Sequence, residues 1–353
     1  MKELFVTVIL IMIFVVIFQI AKASEYVSVL KGEDKTRKQT NKINGFLLIS
    51  FLILGLLGAW YCNELYYPKT LFPQGSASVE GEKIDLMLWI TIGVTGVVFV
   101  ITQVLLFYFA FRYQEKEGKK AFFFPHNTKL ELLWTTVPAI FLTVLVVFGL
   151  KFWFRVTSEA PKDAVLVEIT GHQFGWEMRY PGADGILGKK NYKLYNTPNG
   201  NTLGVDFNDP ESHDDIHVSS EMHLPVNRPV KLLINSQDVI HDVGLSHFRM
   251  KMDAVPGIPT TMWFTPRYTT AEMKARTSNP DFTYEISCDQ MCGKSHFSMR
   301  GVIVVESEAD YLAWLAKQKP EYLSLFESTP GVAPDSTKSS VSKADVPGTE
   351  KKL

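Results

Sequence analysis

Four long apolar runs without charge constrain this chain more than any other feature. Residues 4–20 are apolar apart from Thr7 and Gln19, and residues 43–61 and 86–111 carry no charge at all. Residues 132–150 are uncharged too, with Pro138 inside the run. A helix the length of residues 43–61 rises ~28 Å, close to the ~30 Å hydrocarbon thickness of a bilayer. A soluble domain has no means of burying four helices that are apolar on every side. The last three runs therefore predict transmembrane helices. Pro138 removes one backbone hydrogen bond, which a membrane bundle tolerates.

The first run has two readings. Lys2, the apolar stretch and the small residues Ala21 and Ala23 fit a signal peptide as well as a retained helix. Charge decides between them. Residues 22–42 carry six Lys/Arg, residues 62–83 carry two, and residues 112–129 carry five. The positive-inside rule puts the first and third of these connections in the cytoplasm. Four retained helices then place the N-terminus and everything after Trp153 outside. Cleavage of the first run would export six basic residues or leave the C-terminal half in the cytoplasm.

A formal net charge of −1 and the lack of a long basic block exclude a nucleic-acid partner. Three cysteines are too few for a disulfide scaffold. From residue 164 the pattern changes to short strands at 164–171, 229–235, 282–287 and 301–306, separated by Pro- and Gly-containing turns. That punctuation predicts an all-β sandwich. Residues 182–222 are polar and long for one connection, so they read as an insertion. The expected organisation is an extra membrane hairpin over 1–62 and a second over 80–155. A β-domain over 160–310, a C-terminal helix over 311–329 and a disordered tail over 330–353 follow.

Chemistry concentrates in one segment, where Cys288, Cys292, His296 and Met299 lie within twelve residues. Two thiols, an imidazole and a thioether are soft or borderline ligands, suited to copper rather than to magnesium or calcium. Two thiolates can bridge two copper ions, each of which then needs one nitrogen. His296 supplies one, and His241, which follows a strand of the same domain, supplies the other. Such a closed set of protein ligands suits electron transfer. The competing reading is a Cys288–Cys292 disulfide in an exported domain. The histidine and methionine that follow the second cysteine favour copper. Cys62 reads as an interfacial thiol.

The Cys-x3-Cys-Gly-x2-His-x2-Met run is preceded by Asp238-Val-Ile-His241 and by Lys251-Met-Asp253-Ala-Val-Pro256-Gly257. Together they resemble subunit II of the haem–copper cytochrome c oxidases. The segments beginning at Glu131 and at Gly171 resemble that family's second membrane helix and its aromatic stretch. The likeness covers residues 80–310. It implies a two-helix membrane hairpin followed by a cupredoxin β-barrel, here with two extra helices. It also implies a binuclear copper centre that takes electrons from cytochrome c, or from a cytochrome c domain of a neighbouring complex. Those electrons pass to haem in subunit I, where oxygen is reduced and protons are pumped. The expected setting is the bilayer of a bacterial inner membrane, among subunit I and further membrane subunits.

Carried over to this chain, the copper ligands are His241, Cys288, Cys292, His296 and Met299, with the backbone carbonyl of Gln290. The family usually has glutamate at position 290, where it also helps bind a magnesium ion, and the amide of Gln290 puts that second role in question. Glu131 matches a glutamate at the mouth of a proton channel; a helix-start acid favoured by the helix dipole is the other reading. Phe174 stands where the family has a tryptophan for electron uptake, and Trp176 remains beside it. The acidic residues of the insertion, Asp206, Asp209, Glu211, Asp214 and Asp215, either face a basic cytochrome or are solvated. His213, His217 and His223 are expected to be unliganded. No Cys-x2-Cys-His motif occurs, so the donor haem belongs to another polypeptide. Copper ligands set the chain apart from quinol-oxidase relatives, and also from a periplasmic binding module with a disulfide.

Four retained helices predict an intact mass for the mature subunit that includes residues 1–23. Protease added outside intact cells is expected to cut after Thr329 and to spare residues 31–42. A mass lacking the first ~23 residues, the usual reach of a signal peptide, would contradict this topology.

Overall fold

The structure is a computed structural model that describes residues 2–116 and 118–326. The chain divides into two compact units, one of residues up to 73 with 86–147, the other of 74–85 with the chain from 148 onward.

Four helices among the described residues are long and apolar enough to cross a membrane. They are α1 (Lys2–Lys31), α2 (Glu33–Tyr66), α3 (Val79–Arg112) and α4 (Thr128–Thr157), the last with Pro138 inside it. Gly32 breaks the first two apart with φ 86°, a conformation open to glycine at no steric cost. In the first unit α2 packs against α3 through Phe46 on Phe111 and Phe51 on Phe107, with ring centroids 5.3 and 5.9 Å apart. Arg37 pairs with Asp34 at 2.9 Å and lies 3.6 Å from Glu115. The apolar windows of the four helices bury at most 6% of their residues within the chain. Such faces need lipid or other membrane subunits to cover them.

The second unit is a sandwich of two five-stranded sheets, the all-β sandwich that the strand pattern predicts and the cupredoxin-like fold that the resemblance implies. The first sheet runs β3 (Ile216–Ser219), β2 (Gly175–Tyr180), β1 (Val165–His172), β5 (Val230–Ser236), β8 (Thr260–Phe264). The second runs β4 (Glu221–Pro225), β10 (Arg300–Glu306), β9 (Tyr284–Cys288), β6 (His241–Leu245), β7 (Met250–Ala254). Side chains alternate across a strand, so Val165, Val167 and Ile169 of β1 face the core with Trp176, Met178 and Tyr180 of β2. Leu224, Leu245, Tyr284, Ile286 and Ile303 meet them from the second sheet, all buried. Each contributes about 1.5–3 kcal/mol through burial.

The first turn of α3 belongs to this second unit. The backbone N–H of Ala77 donates to the His247 carbonyl, and the hydroxyl of Ser78 donates to the Phe248 carbonyl. Buried Glu80 accepts from the Thr265 N–H at 2.8 Å and lies 3.8 Å from Arg155. Asp85 pairs with Arg249 at 2.7 Å, and Glu82 with Arg267.

The insertion differs from a solvated loop. It supplies β3, the start of β4, and a cover for the outer face of the first sheet. Buried Arg179 pairs with Glu168 at 2.6 Å and with Asp215 of the insertion at 2.9 Å, and Lys190 joins Glu168 at 2.9 Å. Burial raises the pKa of Asp215 to about 6 against the pull of Arg179. Helix α5 (Thr270–Thr277) lies between β8 and β9, and the single helix expected over 311–329 is instead two short ones, α6 (Glu308–Leu315) and α7 (Glu321–Phe326). Pro320 stands before α7, where its ring fits a helix start but not a helix interior. The tail over 330–353 lies outside the described residues.

His217 makes a pH prediction. Burial alone would depress its pKa, but the hydrogen bond to Glu177 and the Glu321 carboxylate close by outweigh that and raise it to about 9. A pKa raised in the folded state gives stability that is fully present below the unfolded value of ~6.5 and lost as pH rises through about 9. With a chelator present, wild type is expected to exceed His217→Gln in thermal stability most at pH 6, and the gap to shrink steadily through pH 9. A gap that does not change with pH would show that His217 is neutral in the fold.

Candidate metal centre

Strand pairing assembles the candidate site. Antiparallel β6 and β9 pair Val243 with Cys288, so the start of β6 and the end of β9 lie at the same end of the sheet. His241 is the first residue of β6 and Cys288 the last of β9. The loop from residue 289 to 299 leaves β9 and returns into β10, where Arg300 pairs with Ser287. The Cys288 N–H donates to the Met299 carbonyl across its base, and the Asp289 N–H to the Asp242 carbonyl. A one-turn helix over His296–Ser298 turns His296 back toward Cys292.

The result is a compact cluster of soft donors. The thiols of Cys288 and Cys292 face each other at 3.9 Å and are not bonded. Nδ1 of His241 lies 3.7 Å from the Cys288 sulfur, and Nδ1 of His296 lies 3.6 Å from the Cys292 sulfur. The Met299 sulfur is 3.8 Å from that of Cys292, and the Gln290 carbonyl oxygen is 3.2 Å from that of Cys288. Donor atoms of His241, Cys288 and Cys292 all lie within 4.8 Å of one another. Ligands held ~2.0–2.3 Å from a shared ion sit about 3–4 Å apart, which these spacings match. The set divides evenly, one imidazole beside each thiol, with a thioether and a carbonyl at the margin. These residues fit a pair of copper ions better than a single hard cation. His241, Cys288, Cys292 and Met299 are all buried, which keeps water from the ligand positions.

Burial, with the bond and charge of Cys288, pushes the Cys292 thiol up to about 11. Without metal the Cys292 thiol therefore keeps its proton at neutral pH, and metal uptake must release it. The other ring nitrogen of His241 donates to Asp238 at 2.8 Å, which leaves Nδ1 free to face the thiol. Asp238 also accepts from the N–H of Gln173 at 2.7 Å, and the Gln173 side chain donates to the Cys292 carbonyl at 2.5 Å. Burial opposes the Asp238 charge, but the His241 bond and the N–H groups of Val239 and Gln173 hold its pKa below the usual carboxylate range. Sequence reasoning had given neither Asp238 nor Gln173 a role. Their signal was position alone, three residues before one ligand and directly after His172.

The remaining candidates separate. Trp176 is fully buried, its ring centroid 6.0 Å from that of His241. A Cβ at Gly171 would come within 3.0–3.2 Å of both rings, so this close approach needs glycine. Phe174 is 37% exposed at the surface above the cysteine loop. Glu131 sits in the first turn of α4, where its carboxylate accepts from the Asn127 N–H at 3.2 Å. Asn127 in turn accepts from the Leu130 N–H, which makes a reciprocal helix cap. The side chain of Gln290 is exposed. His213 stacks on Tyr322 with centroids 4.1 Å apart, and His223 stacks on Trp314 at 3.9 Å between Glu221 and Glu306. His213 and His223 thus each have partners of their own and do not meet.

Comparison with known proteins follows the same division of the chain. A family model described as cytochrome c oxidase subunit II, periplasmic domain, matches residues 165–308. Another, cytochrome c oxidase subunit II, transmembrane domain, matches residues 67–152. The alternative cytochrome c oxidase subunit 2 of Bradyrhizobium diazoefficiens is 38% identical over 239 residues, which covers 67% of this chain and 80% of that protein. Cytochrome c oxidase subunit 2 of Cereibacter sphaeroides is 29% identical over 272 residues, covering 73% and 84%. The crystal structure of the periplasmic domain of subunit II of cytochrome oxidase from Bradyrhizobium japonicum shares 25% identity. It covers 45% of this chain and 95% of that one, with a TM-score of 0.30.

If the facing thiols share their metal, Cys292→Ser would remove one shared ligand and with it the stable binding of two ions. Copper per chain is expected to fall from two to one or none, and the thiolate-to-copper absorption to collapse. Two coppers retained in the variant would show that the second thiol is not a shared ligand.

Proposed function

The chain belongs to the cytochrome c oxidase subunit II family, a component of haem–copper oxidases, and we propose that it is the subunit through which electrons reach the oxidase. The reading rests on one observation above all: two cysteines, two histidines and a methionine converge in a buried cluster at one end of the β-sandwich. In it, His241, Cys288, Gln290 through its carbonyl, Cys292, His296 and Met299 hold two copper ions. Copper bound there supplies a one-electron carrier whose charge is shared over the pair.

The chain's own residues set the conditions for that role. Cys288 and Cys292 bring two thiolates to one space, and each is backed by one imidazole. Asp238 fixes which nitrogen of His241 faces inward. Gln173 ties the β1–β2 loop to the cysteine loop, so both ends of the cluster are held by the same strut. A full set of protein donors leaves no position for substrate, and a rigid strand-borne frame keeps rearrangement on electron transfer small. Phe174 lies at the surface above the cysteine loop, between the cluster and an outside donor. Trp176 lies beneath, against His241.

The donor in this reading is cytochrome c or a cytochrome c domain of a neighbouring complex. The acceptor is haem in subunit I, which reduces oxygen and pumps protons. The β-domain faces outward from a bacterial inner membrane, and the apolar helices pack among lipid, subunit I and further membrane subunits. Two finer roles belong to the same proposal. Glu131 contributes to a proton path shared with subunit I in addition to capping α4. Gln290 offers a neutral amide oxygen to a magnesium ion at the subunit interface.

Electron paramagnetic resonance of the copper-loaded chain tests the central claim. The expected spectrum shows hyperfine structure of one unpaired electron shared between two copper nuclei, and reduced cytochrome c is expected to bleach it. A spectrum of one isolated copper ion would overturn the binuclear reading.

A further inference from the structure

A second histidine–carboxylate cluster lies on the outer face of the first sheet and shares no residue with the copper centre. Register places it: Thr170 of β1 pairs with Glu177 of β2, Glu177 with Ser219 of β3, and Arg179 with His217. Glu177 stands between two imidazoles. His172 Nε2 is 3.2 Å from one carboxylate oxygen, and His217 Nε2 is 2.8 Å from the other. The hydroxyl of Ser219 donates to the same carboxylate at 2.6 Å. Behind His217, its Nδ1 lies 3.2 Å from Glu321 of α7, whose side chain is 5% exposed. Neither carboxylate oxygen of Glu321 accepts a hydrogen bond. A buried carboxylate in that condition is costly and favours a nearby cation.

We propose that His172, Glu177 and His217 form a second metal site, for one borderline divalent transition-metal ion such as zinc, with Glu321 as the outer carboxylate that orients His217. Two imidazoles and a carboxylate are a common donor set for such an ion and leave a further position for water. A carboxylate on the far nitrogen of a ligating histidine is the usual outer partner of these sites. Charge points the same way. Lys190 and Arg179, the nearby cations, are already paired with Glu168 and Asp215. With neutral imidazoles, Glu177 and Glu321 are left with two negative charges, which two protons or one divalent ion balance. The high affinity of His217 for a proton expresses the same attraction. Metal binding displaces the protons that now join Glu177 to its two histidines and draws both rings onto one carboxylate. His172, with a third of its side chain exposed, gives the ion a way in. The bound ion fastens β1, β2 and β3 together and, through Glu321, holds the C-terminal segment against the insertion.

Cobalt(II) titrated into the full-length chain carrying Cys288→Ser and Cys292→Ser tests this without interference from the thiols. One cobalt ion per chain is expected, with weak visible bands and no sulfur charge-transfer absorption. In that background His172→Gln and His217→Gln are each expected to weaken binding at least tenfold. Glu321→Gln is expected to weaken it about 10–100-fold, the usual effect of an outer partner. His213→Gln, outside the cluster, is expected to leave it unchanged. Should His217→Gln fail to fold by circular dichroism, the partly exposed His172 decides alone. No stoichiometric cobalt, or equal affinity in His172→Gln, would overturn the site and leave a proton-held ion-pair network.

Discussion

The pairing of β6 with β9 is the constraint on which the cluster of thiols and imidazoles depends. It brings His241 beside Cys288 across 47 residues of chain, and it does so because Val243 and Cys288 are cross-strand partners. The side-chain period of a strand is two, so a slip of one residue would turn His241 to the other face. The apolar alternation of β6 and β9, with Val243, Leu245, Tyr284 and Ile286 buried, resists that slip. Core packing and ligand placement are thus one requirement. The backbone bond from Cys288 to Met299 then closes the loop that carries the remaining donors.

What the sequence revealed of this site follows from how local each part is. Cys288, Cys292, His296 and Met299 are contiguous, and one loop brings them together, so their chemistry was legible from spacing. His241 needed the fold, and resemblance to a known family supplied it. Asp238 and Gln173 act through hydrogen bonds that join three segments, and no spacing marks such bonds. The four long apolar helices were legible because apolarity on every side is a property of each helix by itself. Helix ends were less so: α1 runs on to Lys31, past the apolar run that ends at residue 20, because polar residues extend a helix as readily as they end it.

The outer face of the first sheet shows the opposite case. Glu168, Glu177 and Arg179 alternate with core residues, a pattern that a strand facing water shares. Neither that pattern nor the acidity of the insertion, which fits a cytochrome-facing loop or a solvated one, tells that the insertion folds over that face. Asp215 reaches Arg179 across 36 residues, and Glu321 reaches His217 across more than a hundred. Once covered, the charges cannot stay unpaired, because a lone buried charge costs several kcal/mol. A buried ionic network of this kind fixes how its segments dock rather than adding much net stability. It holds the insertion and α7 to the sheet while the apolar core supplies the cohesion.

In the proposed function, Phe174 and Trp176 stand on the side of the cluster by which electrons arrive, and they differ in what they can do there. Trp176 is enclosed by Gly171 and Gly301 and lies against His241, so it cannot touch a partner protein. Phe174 is at the surface, and a Cβ added at Gly293 would come within 3.1 Å of its ring. The phenyl ring therefore rests on the cysteine loop itself. A phenyl ring is much harder to oxidise than an indole, so it cannot hold the electron as a relay. It can still fill the gap between a donor haem edge and the cysteine loop, and exclude water from it. In the proposed function, electrons then tunnel past Phe174 directly to the copper ligands, and the closeness of the docked donor, rather than an intermediate ring, governs how fast they arrive.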